Sequence, residues 1–278
     1  DFLERAPGHI TVMYGCHEAI APDFMLFDYY IGLDTVPGSD RTVKLPFLRH
    51  HLQEVHGGKA GLDVRALLAS KTGFCNFIYA NRKSHPNRDA IFHKLSSVRF
   101  VNSLGPHLNN TPGDDHRSED WYASSIRMKK PYKFSIAFEN AWYPGYTSEK
   151  IVTSMLAGTI PIYWGNPDIG REFNSAAFIN CHDFPTLDDA AAYVKKVDKD
   201  DGLWCEIMSR PWKTLEQEAL FLEETERETA KLYRIFDQSP EEARRKGDGT
   251  WIAYYQRFLK RGHRLRLAWR RLKNRLRH

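Results

Sequence analysis

The chain has 278 residues, of which 42% are hydrophobic and 27% charged, with a formal net charge of +5. That length can bury one large core or two modest ones, and the proportions are those of a soluble globular protein. No apolar run approaches the roughly 18 residues a membrane-spanning helix needs, and the four cysteines (Cys16, Cys75, Cys181, Cys205) are too scattered for a CxxC or zinc pattern.

Cysteine scatter of this kind suits isolated thiols in a reducing compartment. The first residues carry no signal-peptide pattern. Aromatic residues make up 13%, enough for carbohydrate- or nucleotide-stacking surfaces as well as a plain core. The basic charge is unevenly placed. Tyr255 to His278 holds ten Lys and Arg and no Asp or Glu; setting those ten aside leaves 30 basic against 35 acidic residues. The body is mildly acidic and the excess belongs to a tail.

In chain order, His9–Tyr14 reads as a buried strand and Phe27–Leu33 as a second. Val43–Pro46 follows a polar stretch, and a connector leads to Gly73. Phe74–Tyr79 is a β-type run that ends in a loop over Asn81–Asn87, and Arg88–Leu95 has helical spacing. Val98–Val101 is a short strand, Gly105–Asp115 a loop rich in Gly, Pro, Asn and Asp, and Asp120–Met128 a candidate helix. Asn109-Asn110-Thr111 is a formal glycosylation sequon of near-chance frequency. Tyr132–Phe138 is a strong strand, and a helix after it should end at Gly158. Thr159–Trp164 and Ala177–Asn180 read as strands, Thr186–Val197 as a helix, and Glu206–Ile235 as helical and charged. Strands alternating with helices predict βαβ units and parallel sheet. Asp198-Lys199-Asp200 is formally DxD, but no strand leads into it and it reads as a solvated turn.

The segment GYTSEKIVTSMLAGTIPIYWG, Gly145 to Gly165, places Glu149 and Lys150 side by side where a helix starts. Such an end carries unpaired backbone N–H groups and partial positive charge, and it can hold a phosphate. Gly145 permits a tight turn, and Thr147 or Ser148 can cap the helix. Lys150 opposes the helix dipole, so an anion placed at this end would account for it. The alternative is a capped helix whose lysine points to solvent. Neither GxGxxG nor GxxxxGK[ST] is present.

The longer run YKFSIAFENAWYPGYTSEKIVTSMLAGTIPIYWGNPDIGREFNSAAFINCHDF, Tyr132 to Phe184, resembles the signature region of the α-1,3-fucosyltransferases, and the bacterial members most of all. The resemblance extends upstream through FCNFIYANRKSHPNRDAIFHKL and HEAIAPDFMLFDYYIGLD. It implies an α/β fold of two Rossmann-like lobes of the GT-B type. The N-terminal acceptor lobe would be truncated to residues 1–70, the GDP-fucose-binding lobe would occupy 71–240, and a basic amphipathic tail would fill 241–278. It also implies transfer of L-fucose from GDP-β-L-fucose, with inversion, to an acceptor-glycan hydroxyl, in an α-1,3 linkage to GlcNAc or Glc; the 1,4 linkage stays open.

Residue by residue, Glu18 falls on the family's catalytic glutamate, although the usual T-G-E-N is here Cys16-His17-Glu18-Ala19. Arg88 and Lys150 match the phosphate-binding cations, Glu149 the ribose-binding acid, and Asn140 and Tyr146 further donor contacts. Arg82, Lys83 and His85 lie near Arg88 and could take its place, and Pro106 stands where the bacterial pattern has a Tyr. No tightly bound cofactor and no essential metal are expected. Two rival readings remain: a transferase for another nucleotide sugar, and a catalytically silent nucleotide-sugar-binding protein.

In the tail, Leu265, Ala268, Trp269, Leu272 and Leu276 recur at helical spacing opposite a Lys/Arg face. An interfacial helix on an anionic membrane has this pattern. A stripe packed on the body and a nucleic-acid arm are the alternatives. The first is the expectation, with no nucleic-acid partner: a cytoplasmic protein, peripheral on the inner face of a bacterial membrane, with a lipopolysaccharide or capsule glycan as acceptor.

Overall fold

The computed structural model describes residues 9–15, 18–33, 36, 38–45, 61–111, 120–245 and 250–275. Cys16, His17, most of the connector before Gly73, the end of the Gly105–Asp115 loop and Leu276 lie outside the described residues. The chain divides into two compact units, residues 46–226 and residues 1–45 with 227–278.

In the larger unit, helix α1 (Val64–Ala69) precedes strand β4 (Gly73–Phe77), then α2 (Asn87–Val98), β5 (Val101–Ser103), α3 (Trp121–Lys129) and β6 (Tyr132–Phe138). These are followed by α4 (Glu149–Leu156), β7 (Ile160–Trp164), α5 (Ile169–Glu172), β8 (Ile179–Asn180), α6 (Leu187–Lys199) and α7 (Asp201–Ser209). The five strands form one parallel sheet in the order β5-β4-β6-β7-β8.

Strand alternation sorts the side chains onto two faces. Phe134, Ile136 and Phe138 of β6 join Ile160 and Ile162 of β7 in a core with Ile91, Leu95, Val194 and Trp204. Ala137 and Tyr163 face the other way, into a core with Ile151, Val152, Met155 and Phe173. Both faces are covered, which is why β7 reads as a continuous apolar run and β6 is interrupted only by Lys133 and Ser135. Gly158, at φ 65°, ends α4 as expected.

The smaller unit carries three short parallel strands, β1 (Val12–Tyr14), β2 (Tyr29–Gly32) and β3 (Thr42–Lys44), in that order. The His9–Tyr14 strand is not buried as expected: β1 is an edge strand whose Val12 and Tyr14 are 40% and 52% exposed. Helix α8 (Leu215–Asp237) gives its second half to this unit, followed by α9 (Pro240–Ala243) and α10 (Thr250–Arg275). The division differs from boundaries at 70 and 240 because Leu232, Ile235 and Ala243 share a core with Tyr29, Ile31 and Val43. Asp28, fully buried, accepts from the N–H and hydroxyl of Thr11 at 2.7 and 2.8 Å and from the Arg245 N–H at 2.9 Å. It ties the start of the unit to its end.

The Asp198-Lys199-Asp200 segment is not a solvated turn. Asp198 and Lys199 close α6, and the Asp200 side chain caps α7 by accepting from Leu203 N–H. Asp198 is only 11% exposed and lies 3.2 Å from Arg99 and 3.6 Å from Lys133. Among the described residues no helix is long and apolar enough to cross a membrane.

Candidate active site

The sheet changes direction between β4 and β6. From β4 the chain winds outward to β5, then crosses back to β6 and continues to β8. In open parallel sheets, ligands sit beyond the carboxyl ends of the strands at such a switch point. Here the β4–β6 ladder runs from Gly73↔Tyr132 to Asn76↔Ser135. Beyond it, the Tyr79 hydroxyl accepts from Phe138 N–H at 2.7 Å and reaches the Ile136 and Phe138 carbonyls at 3.0 Å. A side chain thus replaces backbone pairing where the two strands part.

Arg88, in the first turn of α2, is fully buried beside this opening. Its guanidinium lies 4.3 Å from the Tyr79 ring centroid, Nη1 donates to Asn140 Oδ1 at 2.9 Å, and Nη2 donates to the Asn81 carbonyl. Nε has no partner; among the described residues it is the one buried side-chain nitrogen or oxygen left so. Orphaned buried donors are costly, and a guanidinium with a donor to spare suits a phosphate. Burial pulls the guanidinium below its ordinary value, with Tyr79, Asp89 and Glu139 opposing; arginine stays charged regardless. Arg82, Lys83 and His85 are exposed, which singles out Arg88 among the neighbouring cations.

Lys150, at the start of α4, is explained by Glu139. This acid directly follows β6 and is fully buried. Its carboxylate accepts from Ser148 N–H at 2.8 Å, from Ser148 Oγ at 2.7 Å and from Lys150 Nζ at 3.0 Å. The anion at this helix start is therefore the protein's own, and Lys150 does not simply point to solvent. Glu149 Oε1 lies 3.5 Å from the same ammonium. Burial opposes Lys150's charge, but Glu139 and Glu149 together push its pKa well above the ordinary lysine value. Burial likewise works against Glu149, yet Lys150, a helix N–H and Lys129 hold its carboxyl below the usual range. Ser148 is the N-cap residue, but its hydroxyl serves Glu139 and makes no capping bond.

The turn before α4 is fixed by buried Asn166. It accepts from Gly145 N–H at 2.9 Å and donates to Thr147 Oγ1 at 3.0 Å. Gly165 has φ 153°, and a Cβ there would meet the Cβ and Cγ of Glu139 at 2.5 Å. Tyr146 is 2% exposed and close enough to both cations to affect their ionisation. The large unit thus brings Arg88, Asn140, Tyr146, Glu149 and Lys150 to one end of one sheet. Glu18 lies in the smaller unit, in an exposed turn after β1, where its N–H donates to the Gly15 carbonyl at 3.0 Å. Among the described residues no group of three or more His, Cys, Asp or Glu is placed to hold a metal ion.

Residues 68–242, which contain this whole cluster and not Glu18, match the family model described as Glycosyltransferase family 10 (fucosyltransferase) C-term. The chain belongs to glycosyltransferase family 10. This family 10 chain is 30% identical over 233 residues to alpha-(1,3)-fucosyltransferase FucT of Helicobacter pylori, covering 72% of its own length and 47% of that protein. It is 34% identical over 132 residues to GDP-fucose protein O-fucosyltransferase 3 of Xenopus laevis, covering 46% and 28%. It therefore spans less than half of either relative. It also resembles a crystal structure of an alpha1,3-fucosyltransferase with GDP-fucose, with TM-score 0.69 and 26% identity over 84% of this chain and 76% of that one.

Sequence reasoning missed Glu139, Tyr79 and Asn166 in this family 10 site. Glu139 had a visible signal, a carboxylate directly after a buried strand that ends in Ile136-Ala137-Phe138. Tyr79 and Asn166 look like ordinary strand-end residues, and only the fold gives them partners.

Proposed function

We propose that the protein transfers L-fucose from GDP-β-L-fucose to a hydroxyl of an acceptor glycan, with inversion, forming an α-1,3 linkage to GlcNAc or Glc. The observation that carries this reading is the convergence of two cations, the buried Arg88 with an unpartnered Nε and the half-buried Lys150 at a helix start, on the switch point of a parallel sheet. Two more findings support it: the family, and likeness to a structure whose own ligand is GDP-fucose.

In this reading Glu18 takes the acceptor hydroxyl proton as that oxygen bonds to C1 of fucose. The C1–O bond to the β-phosphate breaks on the opposite face, and its electron pair leaves with GDP. Arg88 and Lys150 neutralise the charge gathering on the phosphate, Glu149 accepts from ribose hydroxyls, and Asn140 and Tyr146 complete the donor contacts. No metal step is invoked. The architecture proposed is GT-B, with the larger unit, residues 46–226, as the donor lobe and the smaller unit as part of the acceptor side.

The test is calorimetry with GDP and UDP, followed by transfer from GDP-fucose to a small acceptor panel. GDP should bind and UDP should not, and Glu18→Gln should abolish transfer while GDP binding is kept. Equal transfer by the two proteins would remove Glu18 from the chemistry. Binding without transfer to any acceptor would favour a silent nucleotide-sugar-binding protein.

We also propose that α10 lies on an anionic membrane, on the cytoplasmic face. Phe258, Leu265 and Trp269 are 64%, 64% and 66% exposed on this helix of the basic tail, which supports an interfacial role over packing on the body. Flotation on anionic vesicles should be lost at high salt and without residues 255–278. Equal flotation of the full and shortened proteins would refute this.

A further inference from the structure

Lys129 closes α3 and is only 5% exposed. A buried ammonium normally carries a carboxylate partner, and among the described residues none pairs with Lys129. Its Nζ donates to Thr153 Oγ1 at 2.6 Å and to Ser154 Oγ at 3.3 Å. Those hydroxyls donate onward, Thr153 to the Glu149 carbonyl at 2.9 Å and Ser154 to the Lys150 carbonyl at 2.7 Å. Hydroxyls on a helix often bond back one turn by themselves. Here one buried amine stands behind both, and the two relays end on the neighbouring residues Glu149 and Lys150.

The arrangement is costly to keep. Burial pulls the Lys129 amine down to about 7, against the attraction of Glu149. An apolar side chain of similar length would fill the same space without that cost.

We propose that Lys129 is a positioning residue for the donor site, fixing the first turn of α4 through Thr153 and Ser154 and thereby aiming Glu149 and Lys150. The inference rests on the reading that this turn holds GDP-fucose. A role in stability alone and a role in positioning differ in a measurable way. If Lys129 only stabilised the fold, Lys129→Met would lower the melting temperature and leave the affinity of the folded protein unchanged, any apparent loss of binding tracking the unfolded fraction. If it positions the turn, affinity should fall while stability is unchanged or higher.

The experiment measures GDP-fucose affinity without acceptor, and the melting temperature, for the full chain and for Lys129→Met, Ser154→Ala and Lys150→Met. Lys129→Met should weaken binding by about tenfold with no loss of melting temperature. Ser154→Ala, which breaks one relay and leaves the lysine in place, should weaken it by roughly a third as much on a logarithmic scale. Lys129→Met binding within twofold of the unchanged protein, beside a large loss in Lys150→Met, would overturn the proposal. So would a fall in its melting temperature that parallels the loss of affinity. If Lys129→Met does not fold, Ser154→Ala decides alone, and unchanged affinity there overturns the proposal. If Lys150→Met binds GDP-fucose normally, the donor-site reading itself fails, and the positioning role falls with it.

Discussion

Replacing Glu139 by Gln isolates the charge that answers the acid–base pair at the start of α4. The carboxylate is fully buried and lies 3.0 Å from Lys150 Nζ. At that distance, with an effective dielectric constant near 20, the attraction is about 5 kcal/mol. Removing one partner of a buried pair typically costs about 3 to 5 kcal/mol, because the other charge is stranded. Glu149, 3.5 Å from the same ammonium, remains, so the lower end applies. Gln has nearly the same shape, but its amide group must face either Lys150 or Ser148. Both are donors in the present arrangement, so one hydrogen bond is lost in either orientation.

The expected loss is therefore about 3 kcal/mol, read as a fall of roughly 1 to 2 M in the urea midpoint with the slope unchanged. Burial raises the Glu139 carboxyl above its ordinary value, against Lys150, whose own charge the carboxylate sustains. A loss under about 1 kcal/mol would mean that the carboxyl is already protonated at neutral pH and that the ion pair does not exist. Saturating GDP adds a second arm. If the diphosphate sits against Lys150, it returns the missing negative charge, and the gap between the two proteins should narrow. A gap of the same size with and without GDP would refute that placement.

Tyr79→Phe removes the hydroxyl that accepts from Phe138 N–H and keeps the ring under Arg88. It should cost about 1 to 3 kcal/mol in urea unfolding and leave GDP affinity within a fewfold. Gly165→Ala places a methyl 2.5 Å from the Glu139 Cβ and Cγ, at a φ that side chains rarely adopt. It should cost about 2 kcal/mol or more and abolish GDP binding in calorimetry. Lys129 titrates near 7 in the folded protein and near 10.5 when unfolded. Between those values the unfolded chain holds a proton that the folded chain lacks, so stability should rise with pH above about 7, by at most ~1.4 kcal/mol per pH unit. Lys71, near 8, acts in the same direction. The measurement is therefore the difference between the chain and Lys129→Met over pH 6.5 to 8, and a constant difference would refute the assignment.

The sheet was legible where its strands are buried on both faces. Tyr132–Phe138 matches β6 to the residue, and Thr159–Trp164 matches β7 to within one. Dense apolar runs mark both strands as buried, and Gly158 punctuates the helix between them. β1 was misread because an edge strand and a central strand share the same short apolar composition, and the neighbour on one side decides exposure. Asp198 was misread for a related reason. Its partners Arg99 and Lys133 lie far away in sequence, and a charged run shows nothing of them. The candidate site was legible as far as Arg88 and Lys150, which the fold brings to one end of the sheet. Its anion was not, because helix-start logic looks within one turn, whereas Glu139 arrives from the preceding strand.

That strand-borne anion changes how the site must work. With Glu139 and Glu149 ionised, Arg88 and Lys150 are balanced charge for charge, and the group is close to neutral before any nucleotide arrives. In the proposed reading, net positive charge is then not what would favour a diphosphate here. What would favour it is direction: Lys150 is held on one side by the buried Glu139 carboxylate, and Arg88 Nε is held without a partner. Donors fixed in advance need no reorganisation as charge grows on a leaving phosphate, and burial makes each worth more than it would be in water. A neutral but preorganised site also keeps the empty protein stable, because a pair of unbalanced buried cations would repel each other. The acid beside the base in Glu149-Lys150 and the acid nine residues upstream of the helix cap serve the same end. Together they keep a lysine charged and immobile in a place where burial alone would neutralise it.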